Sequence, residues 1–414
     1  MKVVIKLPPQ GSTASSLTSD ALAFISYWRA VTPEYNSIKI EILQDSMILD
    51  GEDGLLLSLF NNAMKDIAER LETRLQERIG MIPSHINDRK TISNICKMEG
   101  NLSLPEASLA ALQNNEWSKT DIKDLSKIMI KITGKKTQNI QIRYGERSEF
   151  ALPQFFLVER TEASSEFLRG RGGMKINVKA SKGWLLLFFM GFACSYAGYW
   201  DNVAVLVHAP WPLLLRIHDK EGLASILDNG YGILPAMTRL KVPAYPKSAY
   251  HILSSVELLL TAKQSERELI QRMLKSPLPI EVDRIEYRRT TYAHIERFSI
   301  DHSIMLSKLN KLSEKTLTWF SRISRKVIYG LRTGRIESEY LNFVERLYSM
   351  LTGAGDPIDT IYRANRIILE LEINSEISRV KSPEEKARKE AQIRSHYLTI
   401  TRDILENLGG RLVG

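Results

Sequence analysis

Trp184 to Trp200 (WLLLFFMGFACSYAGYW) contains no charged residue, and after Asp201 and Asn202 a second apolar run extends from Val203 to Leu215. Such a stretch has to be buried, either in a protein core or in lipid. The first run has seventeen residues and includes Cys194, Ser195 and two glycines. That is short of the roughly 20 apolar residues a membrane span needs. The second run holds His208, Pro210 and Pro212, and its Val203-Ala-Val-Leu-Val207 core has the composition of a buried strand. The expectation is a helix buried on all sides, followed by a central strand. The alternative is a membrane-associated chain anchored through residues 184–215.

The remaining pattern predicts an α+β protein in three parts: an amino-terminal α/β domain (1–160), a central α/β part (161–299) and an all-helical carboxy-terminal bundle (300–414). Residues 2–7 and 38–43 read as strands, 19–28 and 55–79 as helices, and 80–117 as an irregular connector with a short helix. Residues 120–132 read as helix, then 137–144 and 174–179 as strands; in the last, period-two alternation puts Lys175 and Lys179 on one face. Residues 250–274 read as helix and 280–287 as strand, and from Asp301 the helical period continues to the end. Asp356-Pro357 has the form of a helix start, and Ser382-Pro-Glu-Glu385 that of a capping box.

Formal net charge is +9, but its distribution says more. Residues 131–182 hold eleven basic and five acidic side chains, and residues 284–335 hold twelve and four, so these two segments exceed the surplus of the whole chain. Charge segregated in this way can form a patch that attracts a polyanion. Two cysteines, Cys96 and Cys194, stand far apart with no CxxC pair, so neither a zinc site nor a disulfide framework is expected, and the cytoplasm is the expected compartment. The amino terminus, Met1-Lys-Val-Val-Ile-Lys6, lacks the apolar core of a signal peptide.

Enzyme signatures are scarce. Gly134-Lys-Lys-Thr137 lacks the upstream glycine and residue order of a phosphate-binding loop, and Gly170-Arg-Gly-Gly173 is no dinucleotide fingerprint. No GxSxG or HExxH occurs. His218-Asp219 is the best candidate pair of metal ligands, the centre of an alternative metal-dependent nuclease, but the other histidines show no supporting spacing. A non-catalytic chain without cofactor is therefore expected. Nucleic-acid features are more numerous. Lys135 and Lys136 precede a predicted strand, and Arg143 lies within it. The loop and strand 168–183 carry Arg169, Arg171, Lys175, Lys179 and Lys182 among four glycines, where the backbone can approach phosphates closely. Arg284, Arg288, Arg289 and Arg297 alternate with Tyr287, Tyr292 and Phe298, an arrangement able to stack unpaired bases. Arg322, Arg325 and Lys326 share one helix that could track a phosphate backbone.

The order of these parts, with the Gly191-Phe-Ala-Cys-Ser-Tyr-Ala-Gly198 helix leading into Val203-Ala-Val-Leu-Val207 and a helical carboxy-terminal bundle, resembles the large subunit of archaeal type I-A CRISPR effector complexes (Cascade). The resemblance covers size, element order and the apolar helix, and it transfers no individual residue role. It implies a non-catalytic subunit that contacts crRNA and target double-stranded DNA, inspects the protospacer-adjacent motif, and assembles with backbone and small subunits and a nuclease-helicase.

Overall fold

The structure, a computed structural model, describes residues 1–9, 12–76, 80–133, 139–158, 175–208, 246–261, 279–288, 291–333, 338–378 and 380–408. Helices and strands mix in an α+β arrangement with a helical carboxy-terminal region, as the patterning predicts. The chain divides into two compact units, Met1–Pro243 with Pro279–Ser299, and Ala244–Leu278 with Ile300–Gly414. This differs from the three-part reading. The amino-terminal and central parts share one core, and the segment 244–278 belongs with the carboxy-terminal helices.

In the first unit, β1 (Lys2–Lys6), α1 (Thr13–Val31), β2 (Lys39–Ile42), β3 (Ser46–Asp50) and α2 (Asp53–Gln76) follow one another. β3 lies between β1 and β2 and runs antiparallel to both, giving a split β-α-β unit. Alternation buries Val3, Ile5, Met47 and Leu49 on one face. The strand β3 is an addition to the sequence reading, which ended its strand at 43. Ser12 caps α1 by accepting from the Ser15 N–H. The connector after α2 is more ordered than its Asn- and Ser-rich composition suggests. It forms α3 (Arg89–Cys96) and α4 (Leu104–Gln113), the latter started by a Ser103–Glu106 capping box.

The segment read as one helix over 120–132 is instead a short helix and a strand. α5 (Lys119–Asp124) stops after its Ser118–Asp121 capping box and little more than a turn, and β4 (Ile128–Thr133) follows. The β-branched alternation Ile-Met-Ile-Lys-Ile favours a pleated strand over helical rotamers. β4 pairs with β5 (Asn139–Tyr144), β5 runs parallel to β7 (Lys175–Ala180), and the two-residue β6 (Phe150–Ala151) closes the far edge, in the order β4-β5-β7-β6.

α6 (Lys182–Ser195) is the apolar run, and every residue from Gly183 to Ala193 is buried. Phe156 meets Phe188, Phe189 and Phe192 at centroid distances of 5.9, 5.3 and 6.4 Å, the spacing of favourable aromatic pairs. Arg74 of α2 donates to the carbonyls of Ala193 and Tyr196 at the carboxy end of α6, satisfying oxygens that the helix leaves unpaired. The helix ends sooner than the uncharged run does. Tyr196–Trp200 forms β8, which turns at Asp201 and Asn202, φ 47° and 62°, into β9 (Val203–His208). Two successive left-handed residues make the tight hairpin turn whose twist suits antiparallel strands. β10 (Pro279–Arg288) and β11 (Thr291–Asp301) complete a sheet of order β11-β10-β9-β8. Among the described residues no helix is long and apolar enough to cross a membrane; residues 209–215 of the second apolar run lie outside them.

The second unit comprises α7 (Lys247–Thr261), α8 (Ser303–Leu309), α9 (Glu314–Thr333), α10 (Ser338–Thr352), α11 (Pro357–Arg363), α12 (Leu369–Ile377) and α13 (Pro383–Leu408). A π-helical segment, Ala364–Ile368, joins α11 to α12. Asp356 caps α11 as its sequence predicts, accepting from the Ile358 N–H at 2.9 Å.

This unit also buries two histidines together. His251 and His302 lie 5.1 Å apart by ring centroid, and Ser254 Oγ is 2.9 Å from His302 Nε2. Burial lowers the pKa of His251 to about 4 and that of His302 well below its ordinary value, where the neighbouring His251 lowers it further. Both are therefore neutral in the fold, whereas in an unfolded chain they protonate near pH 6.5. The unfolded state then binds more protons between about pH 6.5 and 4, and stability falls as pH drops through that window. Trp319 is the one tryptophan in this unit's sequence. Urea unfolding followed by the ¹⁹F signal of Trp319 in 5-fluorotryptophan-labelled protein, resolved from those of the other five tryptophans, is expected to show a midpoint that falls from pH 7 to pH 4.5. A midpoint flat across that range would contradict the neutral, buried pair.

Candidate nucleic-acid interface

Period-two alternation sorts the β4-β5-β7 sheet into two chemically distinct faces. On one, Tyr144, Val178 and Ala180 are buried, and Tyr144 packs against Trp184 and Phe188 of α6 at 5.2 and 5.4 Å. The opposite face carries Met129 and Lys131 from β4, Gln141 and Arg143 from β5, and Asn177 and Lys179 from β7. Register places Met129 opposite Arg143, Arg143 beside Lys179, and Lys131, Gln141 and Asn177 in a row. Lys175 opens β7 in register with Asn139.

This face holds cations without anions. Lys131 and Arg143 are exposed and Lys179 is half-buried. Among the described residues, none of the three meets a carboxylate. Arg143 and Lys179 sit on adjacent strands, whose backbones are about 4.8 Å apart. Like charges facing across neighbouring strands are unfavourable by themselves. A polyanion laid across the sheet turns that repulsion into attraction, and the amides of Gln141 and Asn177 add donors between the charges.

The other sequence candidates are placed differently. Lys182 is turned toward α5, donating to the Glu116 carbonyl at 2.8 Å and lying 3.6 Å from Asp121. Arg284 pairs across the hairpin with Glu296 at 3.4 Å, and Arg288 pairs with Glu286 of its own strand at 2.5 Å. The aromatic residues between them belong largely to the core: Tyr292 is buried, packs on Tyr287 at 5.3 Å, and donates its hydroxyl to the Pro83 carbonyl. In the second unit, Arg322, Arg325 and Lys326 share one arc of α9 but reach different neighbours. Arg322 pairs with Glu372, Arg325 with Glu257, and Lys326 lies over the Tyr340 ring at 3.9 Å. Lys135, Lys136, Arg169, Arg171, Arg289, His218 and Asp219 lie outside the described residues. Among the described residues no group of three or more His, Cys, Asp or Glu side chains is arranged to hold a metal ion.

Lys131 was not singled out from sequence. The signal was present in the alternation Ile128-Met-Ile-Lys-Ile-Thr133, but reading those residues as the end of a helix removed the face on which Lys131 stands.

Among the described residues, the most deeply buried charges of the first unit lie elsewhere. His208 of β9 contacts Asp20 of α1 through Nδ1 at 2.6 Å and lies 3.5 Å from Asp283 of β10 through Nε2. Arg297 of β11 donates two hydrogen bonds to the Asp283 carboxylate. Burial opposes charge on His208, but Asp20 and Asp283 outweigh it and raise its pKa to about 10. Burial likewise works against the Asp283 carboxylate, yet His208 and Arg297 hold it well below the usual carboxylate range. The His208, Asp20 and Asp283 side chains are at most 1% exposed, so this network ties α1 to the sheet from inside the core.

No protein-family model matches the chain, and neither the curated proteins nor the solved structures contain a match.

Proposed function

We propose that this protein is a non-catalytic nucleic-acid-binding subunit whose first unit holds the phosphate backbone across the β4-β5-β7 sheet. The observation that carries the reading is the face bearing Lys131, Arg143 and Lys179, which no described carboxylate neutralises. Lysine and arginine on a sheet face bind phosphates without reading bases, so this contact positions a strand and leaves sequence selection to other groups.

Replacing all three residues by Ala tests it directly. The substitutions remove up to three phosphate contacts, so the slope of log affinity against log salt should fall by about 2 to 3, with affinity at low salt at least about tenfold weaker. Fluorescence anisotropy with single- and double-stranded oligonucleotides across a salt series measures both quantities. An unchanged slope would remove the interface.

The resemblance noted from sequence suggests the setting: the large-subunit position of a CRISPR RNA-guided surveillance complex, with crRNA, target DNA and other effector subunits as partners. Its support is the element order around the apolar helix. Purification from the native host at low salt, followed by sequencing of nuclease-protected RNA, should recover short RNAs that share one repeat-derived end. A protein free of RNA would count against that setting while leaving the sheet measurement intact.

A further inference from the structure

A cleft of about 550 Å³ opens on the second unit between α9 and α13, lined by Glu314, Lys315, Thr318, Trp319, Arg322 and His396. This volume lies within the range of small-ligand pockets. One wall is held rigidly from behind. Arg322 donates to Glu372 Oε2 at 2.7 Å, the buried Glu372 also accepts from the Tyr397 hydroxyl at 2.9 Å, and that hydroxyl in turn accepts from the Trp319 indole N–H at 3.3 Å. The Arg322 side chain nevertheless remains 54% exposed, and no other described group takes its remaining N–H donors.

Lys315 stands two helical turns before Arg322 on the same face of α9 and meets no carboxylate among the described residues. His396 enters from α13, half-buried. Burial lowers its pKa, and the charges of Lys315 and Arg322 lower it further against an opposing pull from Glu372. Two cations thus lie beside the imidazole, with the Glu372 carboxylate behind Arg322 as the opposing charge. Glu314 and Thr318 supply the rest of the polar lining.

We propose that this cleft binds a phosphate group, anchored by Lys315 and Arg322 with His396 as a third donor. The planar guanidinium matches phosphate oxygens in pairs, the ammonium adds a point charge, and an anion between them lets the imidazole accept a proton. The phosphate can be free or part of a nucleic-acid backbone, since both present the same oxygens. The inference concerns the second unit and stands whether or not the sheet of the first unit holds nucleic acid.

The test uses the full chain with ¹⁵N-labelled histidine, the His396 ring signals being identified by their loss in His396→Gln. Inorganic phosphate and a twelve-nucleotide single-stranded DNA are titrated separately at pH 7, against sodium chloride of equal ionic strength. The expected result is a saturable shift of the His396 nitrogens toward their protonated positions, half-complete below about 1 mM phosphate. In Lys315→Gln, whose exposed side chain supports no core contact, binding should be at least tenfold weaker. A shift with the oligonucleotide alone would identify the source as a nucleic-acid backbone, and a shift with phosphate alone would identify a free phosphate. No shift with either ligand, or equal binding by Lys315→Gln, overturns the proposal. The Lys131, Arg143 and Lys179 triple substitution should leave this titration unchanged, which separates the cleft from the sheet.

Discussion

Replacing Asp283 by Ala is expected to destabilise the first unit by about 3–5 kcal/mol, the range found when one partner of a buried ion pair is removed. Asp283 is fully buried and accepts two hydrogen bonds from Arg297 while His208 lies 3.5 Å away. Without it, the guanidinium loses two charged hydrogen bonds, and the imidazolium loses one of its two carboxylates. His208 is only 1% exposed, so most of the cost is that of its uncompensated charge, Arg297 being partly open to solvent. Denaturant unfolding measures it. A loss below about 1 kcal/mol would mean that the network is solvated or not formed. The same network predicts an alkaline limit. His208 has its pKa raised above its unfolded value, so its contribution is fully present below about pH 6.5 and is lost as pH rises through about 10. With one carboxylate gone, the variant should lose that contribution at a lower pH than the native protein.

Gly191→Val is expected to cost about 3 kcal/mol or more, and Gly191→Ala should already be clearly destabilising. Helix propensity alone predicts the opposite, since Ala in a helix interior is favoured over Gly by about 1 kcal/mol. The tertiary crossing decides the sign. A Cβ at position 191 would lie 1.9 Å from the Leu17 carbonyl oxygen and 2.8 Å from its Cα. The obstacle is α1 backbone, which no rotamer change can move, so α1 and α6 must separate where they cross. Urea midpoints of the two variants check the prediction. A Gly191→Ala protein as stable as the native one would show that α1 and α6 do not meet this closely.

The apolar run illustrates both what is legible in a sequence and what is not. An uncharged stretch too short for a bilayer implied a helix buried on all sides, and α6 is one. Where that helix ended was not legible. Tyr196 to Trp200 are as free of charge as the residues before them, and only pairing with β9 makes them a strand. His208 looked from sequence like an interruption of an apolar segment. In the fold it is an anchor, because α1 and β10 bring Asp20 and Asp283 to it from distant parts of the chain, and Arg297 of β11 holds Asp283 in turn.

The candidate interface divides in the same way. Alternation alone placed Lys175 and Lys179 on one side of a strand, and local charge density marked Arg143. Sequence could not show that β5 and β7 run parallel as neighbours, which sets Arg143 beside Lys179. Nor could it show that Arg284 and Arg322 each have a carboxylate partner from another element within salt-bridge distance. The sequence by itself determined the α+β class, the burial of the 184–195 helix, the Asp356 cap and the segregation of basic charge, because these depend on periodicity and local hydrogen bonding. Tertiary structure decided which cations remain without anions, since that depends on which distant strands and helices become neighbours. Pairing across such distances leaves no local trace in the chain.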